Sequence, residues 1–311
     1  MKKIFYPFTK SCRRNKRHAR ESKLIDRLRF AQYEVLCREK ISGSKVPGIG
    51  NDASENITIS LTSYGPRIET VYLTIESLMQ QSFKADRIVL CLAKSEFSEK
   101  NLPAALKHQR ERGLEILFCE EDFGPYTKFF YTLQKYPQDL IITVDDDHIY
   151  PIDTVDLLYR AYLEEPGVIH CNRAHQMLVD SQGELRPYKQ WNWDYAASES
   201  SLDTFPTGVG GVLYFPGSLD EAVLDKESFL RLAPNSDDVW LKAMSLKKSV
   251  KCQQIQSGCS FMEKAIAIPG AQMVSLKRKN KHDRDGNDLA ISRVFGEYNL
   301  HEVIKVATVR R

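Results

Sequence analysis

No apolar run in the 311 residues approaches the ~18–20 residues that a membrane span requires. Met1-Lys2-Lys3 opens the chain, but the apolar stretch 4–8 is shorter than the roughly 7–15 residues of a signal-peptide core. Cysteine is sparse and unpatterned. Cys12, Cys37, Cys91, Cys119, Cys171, Cys252 and Cys259 form no Cys-x-x-Cys pair, which argues against a zinc finger and against a disulfide framework. Cys91 sits inside an apolar run, where a thiol behaves as a small core group. Together these absences imply a reducing, cytoplasmic setting. G-x-x-x-x-G-K-[ST], G-x-G-x-x-G and internal repeats are also missing, which removes the common phosphate-loop and dinucleotide-binding readings.

What is present is globular. A content of 42% hydrophobic and 27% charged residues over this length suits one large α/β domain or two small ones, with ample core. The net charge of +3 conceals an asymmetry. Residues 1–29 hold 11 Lys/Arg against 2 Asp/Glu, while the remainder holds 33 against 39. A basic head thus precedes a mildly acidic body. Within the head, Leu24, Leu28, Ala31 and Val35 fall at helical spacing and predict a helix over 19–39. The Gly-, Ser- and Pro-rich stretch 42–50 reads as a linker. The expected organisation is a basic arm and linker over 1–50 and one catalytic domain over 51–311. Three readings of the arm compete. It is a solvated tail, or it meets an anionic membrane surface, where each Lys/Arg is worth ~1 kcal/mol, or it binds nucleic acid. No motif or aromatic interleaving supports the last, so no nucleic-acid partner is expected.

From residue 56 the pattern alternates. Strands are predicted over 57–62, 87–92, 114–118 and 140–144, and helices over 68–81, 99–112 and 126–135. Such alternation implies βαβ units and a mostly parallel sheet flanked by helices. Ligands of such sheets bind at the carboxyl ends of the strands. The fourth strand runs directly into Asp145-Asp146-Asp147. Three adjacent carboxylates after an apolar strand repel one another and resist burial unless a cation compensates, and hard oxygen ligands suit Mg²⁺ or Mn²⁺. With Val144 turned inward, strand alternation would put Asp145 and Asp147 on one side. The plainer alternative is a solvated acidic turn. A second acidic pair, Asp237-Asp238, opens a predicted helix over 239–247, where the dipole stabilises anions. One acid suffices as a cap; the other is available as a general base.

These motifs carry a resemblance. Residues 56–244 resemble GT-A glycosyltransferases of the kind grouped with the large family 2. Asp145-x-Asp147 matches their D-x-D motif. Thr62-Ser63-Tyr64-Gly65-Pro66-Arg67 matches the first loop, and Thr207-Gly208-Val209-Gly210-Gly211 matches the Gly-rich acceptor-side loop. Asp237-Asp238-Val239-Trp240-Leu241 matches the acidic pair that opens a helix. The resemblance implies a Rossmann-like GT-A fold, a nucleotide-sugar donor (a UDP-sugar first), and Mn²⁺ or Mg²⁺ on Asp145 and Asp147. It places Thr62, Ser63, Tyr64, Arg67, Lys128, Asp145 and Asp146 at the donor. It makes Asp238, beside Asp237, the base of an inverting transfer. Gly210, Gly211, Trp191 and Trp240 are the acceptor-side candidates, although core packing is the favoured reading of each Trp. The implied acceptor is a glycan or glycolipid of bacterial lipopolysaccharide or capsule assembly, met in the cytoplasm or at the inner membrane face. There is a departure: the acidic residue that many relatives carry after the second strand is replaced by Ala93-Lys94-Ser95.

Weaker features have plain alternatives. Arg67 and Lys128 suit phosphate oxygens or the surface. His170-Cys171-Asn172-Arg173-Ala174-His175 has poor spacing for zinc. Tyr188 to Trp193, Trp193 included, is polar enough to line an acceptor groove. The basic stretch 277–284 is a closing lid or a solvated loop. Rival classes fit less well. Haloacid-dehalogenase-like phosphatases need D-x-D early in the chain. Sugar nucleotidyltransferases need a Gly-rich, Arg-containing first loop. A non-catalytic glycan-binding protein on this fold would not need both acidic pairs.

Overall fold

The computed structural model describes residues 10–271 and 286–309. Helix α1 (Lys10–Gly43) precedes strands β1 (Ile57–Thr62), β2 (Arg87–Ala93), β3 (Leu114–Cys119) and β4 (Leu140–Thr143). Helices α2 (Val71–Met79), α3 (Ala104–Glu111) and α4 (Thr127–Lys135) alternate with them. Then follow β5 (His148–Ile149), α5 (Thr154–Glu164), β6 (Ile169–Cys171), β7 (Ala174–Gln176), β8 (Asn192–Trp193), β9 (Thr204–Pro206) and β10 (Val212–Tyr214). The remaining elements are α6 (Lys226–Leu232), α7 (Asp237–Lys247), β11 (Cys252–Gln254), α8 (Phe261–Lys264), β12 (Ile266–Ala267), α9 (Gly286–Glu297) and α10 (Leu300–Val309).

Seven strands form one sheet in the order β11-β6-β10-β4-β1-β2-β3. Every neighbouring pair is parallel except the two made by β10, which runs antiparallel between β4 and β6. This is the mixed α/β, mostly parallel, helix-flanked sheet expected of a Rossmann-like GT-A fold. The strands are apolar because helices cover both faces. Ile57, Ile59 and Leu61 pack on one side with Ile75, Leu78 and Leu158. On the other side β1 turns Thr58 and Ser60 toward hydroxyl and carboxylate partners. Thr58 Oγ1 donates to Asp139 at 2.6 Å, and Ser60 Oγ meets Thr132 Oγ1 at 2.6 Å. A second core, with Phe129, Phe229, Trp240 and Phe295, lies beneath α4, α7 and α9.

Elements differ from expectation where local chemistry intervenes. The predicted helix 68–81 is a 3₁₀ turn (Gly65–Glu69) followed by α2, because Gly65 (φ 49°) and Pro66 enforce a tight turn first. The predicted helix 99–112 is interrupted at Pro103, and α3 starts after it. Helix α1 is longer than 19–39. Its Phe30, Tyr33, Cys37 and Ile41 pack against Leu73, Ile149, Ile268 and Ala271, and Arg29 Nη2 donates to the Lys264 carbonyl at 2.6 Å. Cys37, Cys91, Cys119, Cys171, Cys252 and Cys259 are free thiols. Among the described residues no helix is long and apolar enough to cross a membrane.

A buried ion pair fixes α2 against the turn after α3. Arg112 Nη1 meets Glu76 Oε2 at 2.7 Å, with both side chains almost fully buried, and Arg112 Nε donates to the Val46 carbonyl at 3.0 Å. Removing one partner strands the other charge. Arg112→Met is therefore expected to cost about 3–5 kcal/mol in urea unfolding, and Arg112→Met with Glu76→Leu to recover most of that loss. A single variant within about 1 kcal/mol of the parent would show that the pair does not hold α2 in place.

Candidate active site

The antiparallel run of β10 assembles the site. Val212 lies opposite Thr143, so the loop entering β10 sits beside the chain leaving β4. Strand β1 flanks β4 on its other side, with Ser60 opposite Thr143, which brings the first loop to the same edge. Three segments distant in sequence thereby converge on Asp145-Asp146-Asp147.

The acidic run divides into two networks. Strand β4 ends at Thr143 and residues 146–147 form a turn, so strand alternation does not order the three carboxylates. Asp145 faces one way: Lys128 Nζ donates to its Oδ1 at 2.8 Å. The same ammonium, buried at the start of α4, lies 2.9 Å from Asp237 Oδ2. Asp238 Oδ1 accepts the Gly208 N–H at 2.9 Å. A methyl group on Gly208 would stand 3.1 Å from Asp238 Oδ1, 3.3 Å from Lys128 Nζ and 3.5 Å from Asp145 Oδ1. Gly208 therefore fills the centre of this cluster, where a larger residue would push the charges apart.

Asp146 and Asp147 face Arg67. Its Nη1 contacts Asp146 Oδ1, and its Nη2 meets Asp147 Oδ2 at 3.2 Å. Arg67 Nε donates to the Ala271 carbonyl at 2.9 Å, and its guanidinium lies 5.2 Å from the Tyr64 ring centre. Ser63 Oγ donates to Asp146 Oδ2 at 2.7 Å. Asp147 Oδ1 pairs with His148 Nδ1 at 2.6 Å. His148 Nε2 is buried with no hydrogen-bond partner among the described residues. Thr62 Oγ1 is turned to the Cys91 carbonyl at 2.9 Å and braces the loop.

Burial dominates the electrostatics. Desolvation, then the neighbouring Asp237 carboxylate, pushes Asp238 up to about 8 against the pull of Lys128. Burial likewise raises Asp237 and lifts Asp146 to about 6 despite Arg67 and Ser63. Burial alone would depress Lys128, but Asp145, Asp237 and Asp238 outweigh it and hold the ammonium well above its ordinary value. Among the described residues, five carboxylates thus lie around Lys128 and Arg67 at this edge.

Hard oxygen donors of this kind suit Mn²⁺ or Mg²⁺. Among the described residues no group of three or more His, Cys, Asp or Glu is arranged to hold a metal by itself.

Several expected residues fall elsewhere. Trp240 is fully buried, with Nε1 donating to the Val223 carbonyl at 3.1 Å. Trp191 is likewise in the core and donates to the Arg186 carbonyl at 2.8 Å. Neither indole presents a face to an acceptor; both serve packing. Gly210 and Gly211 are buried too. Gly210 packs directly on Arg173, where a methyl would come within 2.8 Å, and Gly211 supplies a φ of 84°. The open indole is Trp193, 53% exposed and 4.5 Å from the His175 ring. His170 and His175 lie on separate strands in separate hydrogen-bond networks and do not form a zinc pair. The basic stretch 277–284 lies outside the described residues.

The sequence reading missed three contributors. Gly208 carried only its place in a Gly-rich loop as a signal. Glu96 accepts the Gly65 N–H at 2.7 Å and ties the loop after β2 to the first loop. Tyr150 Oη accepts from the Asp145 N–H at 2.9 Å and donates to the Val209 carbonyl at 3.0 Å, joining the acidic run to the Gly-rich loop.

No family model matches the chain, and no curated protein matches its sequence. Solved structures do align with it. One is a mannosyltransferase from Pyrobaculum calidifontis in complex with GDP-Man and Mn²⁺, at TM-score 0.44 and 13% identity over 92% of this chain and 83% of that one. Another is TarS 1–349 of S. aureus in complex with UDP, at TM-score 0.43 and 13% identity over 65% of this chain and 59% of that one. A third is CMP:2-keto-3-deoxy-manno-octonic acid synthetase complexed with CTP, at TM-score 0.37 and 12% identity over 67% of this chain and 91% of that one.

The raised Asp238 makes a stability prediction whose sign is set by linkage. The folded chain keeps a proton on this carboxyl that the unfolded chain gives up. Stability from this group is therefore full below about pH 4 and is lost as pH rises toward about 8. In EDTA, Asp238→Asn is expected to be more stable than the parent at pH 8 by on the order of 2 kcal/mol, with the gap closing near pH 4. Denaturant unfolding at both pH values checks this. A gap that does not change with pH would mean that Asp238 is not the strained carboxylate.

Proposed function

We propose that this chain transfers a sugar from a nucleotide-sugar, a UDP-sugar first, to a hydroxyl of a glycan or glycolipid. The observation that carries the reading is the convergence of two acidic segments, distant in sequence, on one edge of the sheet. Asp145, Asp146, Asp147, Asp237 and Asp238 gather at the carboxyl edge of the sheet, joined among the described residues by Lys128 and Arg67. Such an edge repels a diphosphate on its own and accepts one together with a divalent cation. Mn²⁺ or Mg²⁺ on Asp145 and Asp147 would supply charge neutralisation at the leaving diphosphate.

The chain's own residues divide the remaining work. Ser63, Tyr64 and Arg67 hold the first loop against Asp146 and Asp147, on the donor side. Lys128 and Arg67, shared between carboxylates and phosphate oxygens, orient the donor. Asp238 takes the proton of the acceptor hydroxyl; a pKa pushed up to about 8 suits a base at neutral pH. The new bond joins the acceptor oxygen to the anomeric carbon while the bond from that carbon to the diphosphate oxygen breaks. The diphosphate leaves with the electron pair, and a single displacement inverts the centre. Trp193 offers an open face for a sugar ring on the acceptor side. An acceptor in bacterial lipopolysaccharide or capsule assembly, and a cytoplasmic site of action, fit this reading.

The test is a panel of UDP-, GDP- and CMP-sugars with Mn²⁺ or with EDTA, following released nucleotide and the shift in melting temperature. Release from one donor is expected with Mn²⁺ only, and lost in Asp147→Ala and Asp238→Asn. Absence of both release and thermal shift across the panel would sink the reading. Gly208→Ala adds a geometric check. Turnover is expected to fall at least about tenfold with little change in melting temperature, since the new methyl crowds Asp238 and Lys128 without entering the core. Unchanged turnover would place the reaction away from this cluster.

A further inference from the structure

Helix α1 has two apolar sides and uses one of them on the body of the protein. At about 100° per residue, Phe30, Tyr33, Cys37 and Ile41 share the face that packs on Leu73, Ile149, Ile268 and Ala271. Leu24, Ile25, Leu28, Val35 and Leu36 fall on the far side, and each is 48–61% exposed. Scattered exposed leucines need no explanation, but five aliphatic side chains along one side of one helix form a patch that calls for a partner. Exposed Arg27 and Arg38 border the patch, Arg38 in an ion pair with Glu34 at 2.7 Å, and Glu21 and Glu39 lie at its two ends.

We propose that this outer face of α1 rests on an anionic lipid surface, with the aliphatic row at the acyl boundary and the basic residues on the headgroups. Charge selects this occupant over a second copy of the chain. Residues 1–29 carry 11 Lys/Arg against 2 Asp/Glu, so pairing two such segments would bring like charges together. An anionic bilayer offers the complementary sign. No helix among the described residues is long and apolar enough to cross a membrane. The contact is therefore one along the surface, in which an apolar stripe and cationic flanks act together. This inference stands on α1 and the charge of the head, and not on the transferase reading.

The full chain should be co-sedimented with phosphatidylcholine vesicles and with vesicles that also contain about one third phosphatidylglycerol. Binding is expected to be at least about tenfold tighter on the anionic vesicles and to weaken at about 0.5 M salt. Leu24→Glu with Leu28→Glu should lower anionic-vesicle binding about tenfold at an unchanged melting temperature, because both side chains lie off the docked face. Equal binding to the two vesicle types, no binding to either, or binding that survives the double substitution would overturn the proposal. So would a lipid-free dimer in sedimentation that the double substitution dissociates, since that outcome assigns the face to a second copy. The comparison of lipid compositions uses the unaltered chain and holds even if the variant misfolds.

Discussion

A buried ammonium among carboxylates is the constraint around which the candidate site is organised. Lys128 Nζ lies within 2.9 Å of oxygens from both Asp145 and Asp237. Those residues come from the end of β4 and the start of α7, so one charge joins two segments far apart in sequence. Burying a lysine is costly unless its partners are close. Burial, reinforced by the neighbouring carboxylates, still raises the carboxyl pKa values of Asp237 and Asp238 against the pull of Lys128. Arg67 plays the matching part for Asp146 and Asp147. The two cations thus hold the acidic segments of the site together.

Topology makes that arrangement possible. A parallel strand between β4 and β6 would have brought its leading loop to the opposite edge of the sheet. Because β10 runs antiparallel, Gly208 arrives beside Asp145 while Gly211 and Val212 stay in the core. Tyr150 then fastens the two loops by accepting from one and donating to the other. Helix α1 and the segment 266–271 close over the far side of the acidic run: Ile268 N–H donates to the Asp147 carbonyl at 2.9 Å. The arm is thus packed on the domain through its second half and is more than an appended tail there.

Much of this was legible in the chain because strands buried on both faces are written as unbroken apolar runs. Residues 57–62, 87–92 and 114–118 were placed almost to the residue, and the acidic run was placed at a strand end. What was not legible depends on neighbours. Core packing was the favoured reading of each Trp, and Trp191 and Trp240 follow it, donating to backbone carbonyls inside the core, while Trp193, two residues beyond Trp191, is open. Nothing local separates these fates; the pairing of β8 with β7 does. Gly210 and Gly211 were expected at an acceptor and proved to be packing residues, whereas Gly208 was not singled out and stands among the charges.

The sequence by itself determined the parallel α/β architecture, the two acidic pairs and the basic head, because periodicity, apolar runs and charge are properties of neighbouring residues. Tertiary structure decided how the acidic run is shared. Asp145 turns to Lys128 while Asp146 and Asp147 turn to Arg67, since the chain leaves β4 in a turn and not as a strand. It also decided which side of α1 is consumed by the domain and which is left exposed. Both outcomes are set by which surfaces meet across the sheet and its helices, and such meetings join residues that no local pattern relates.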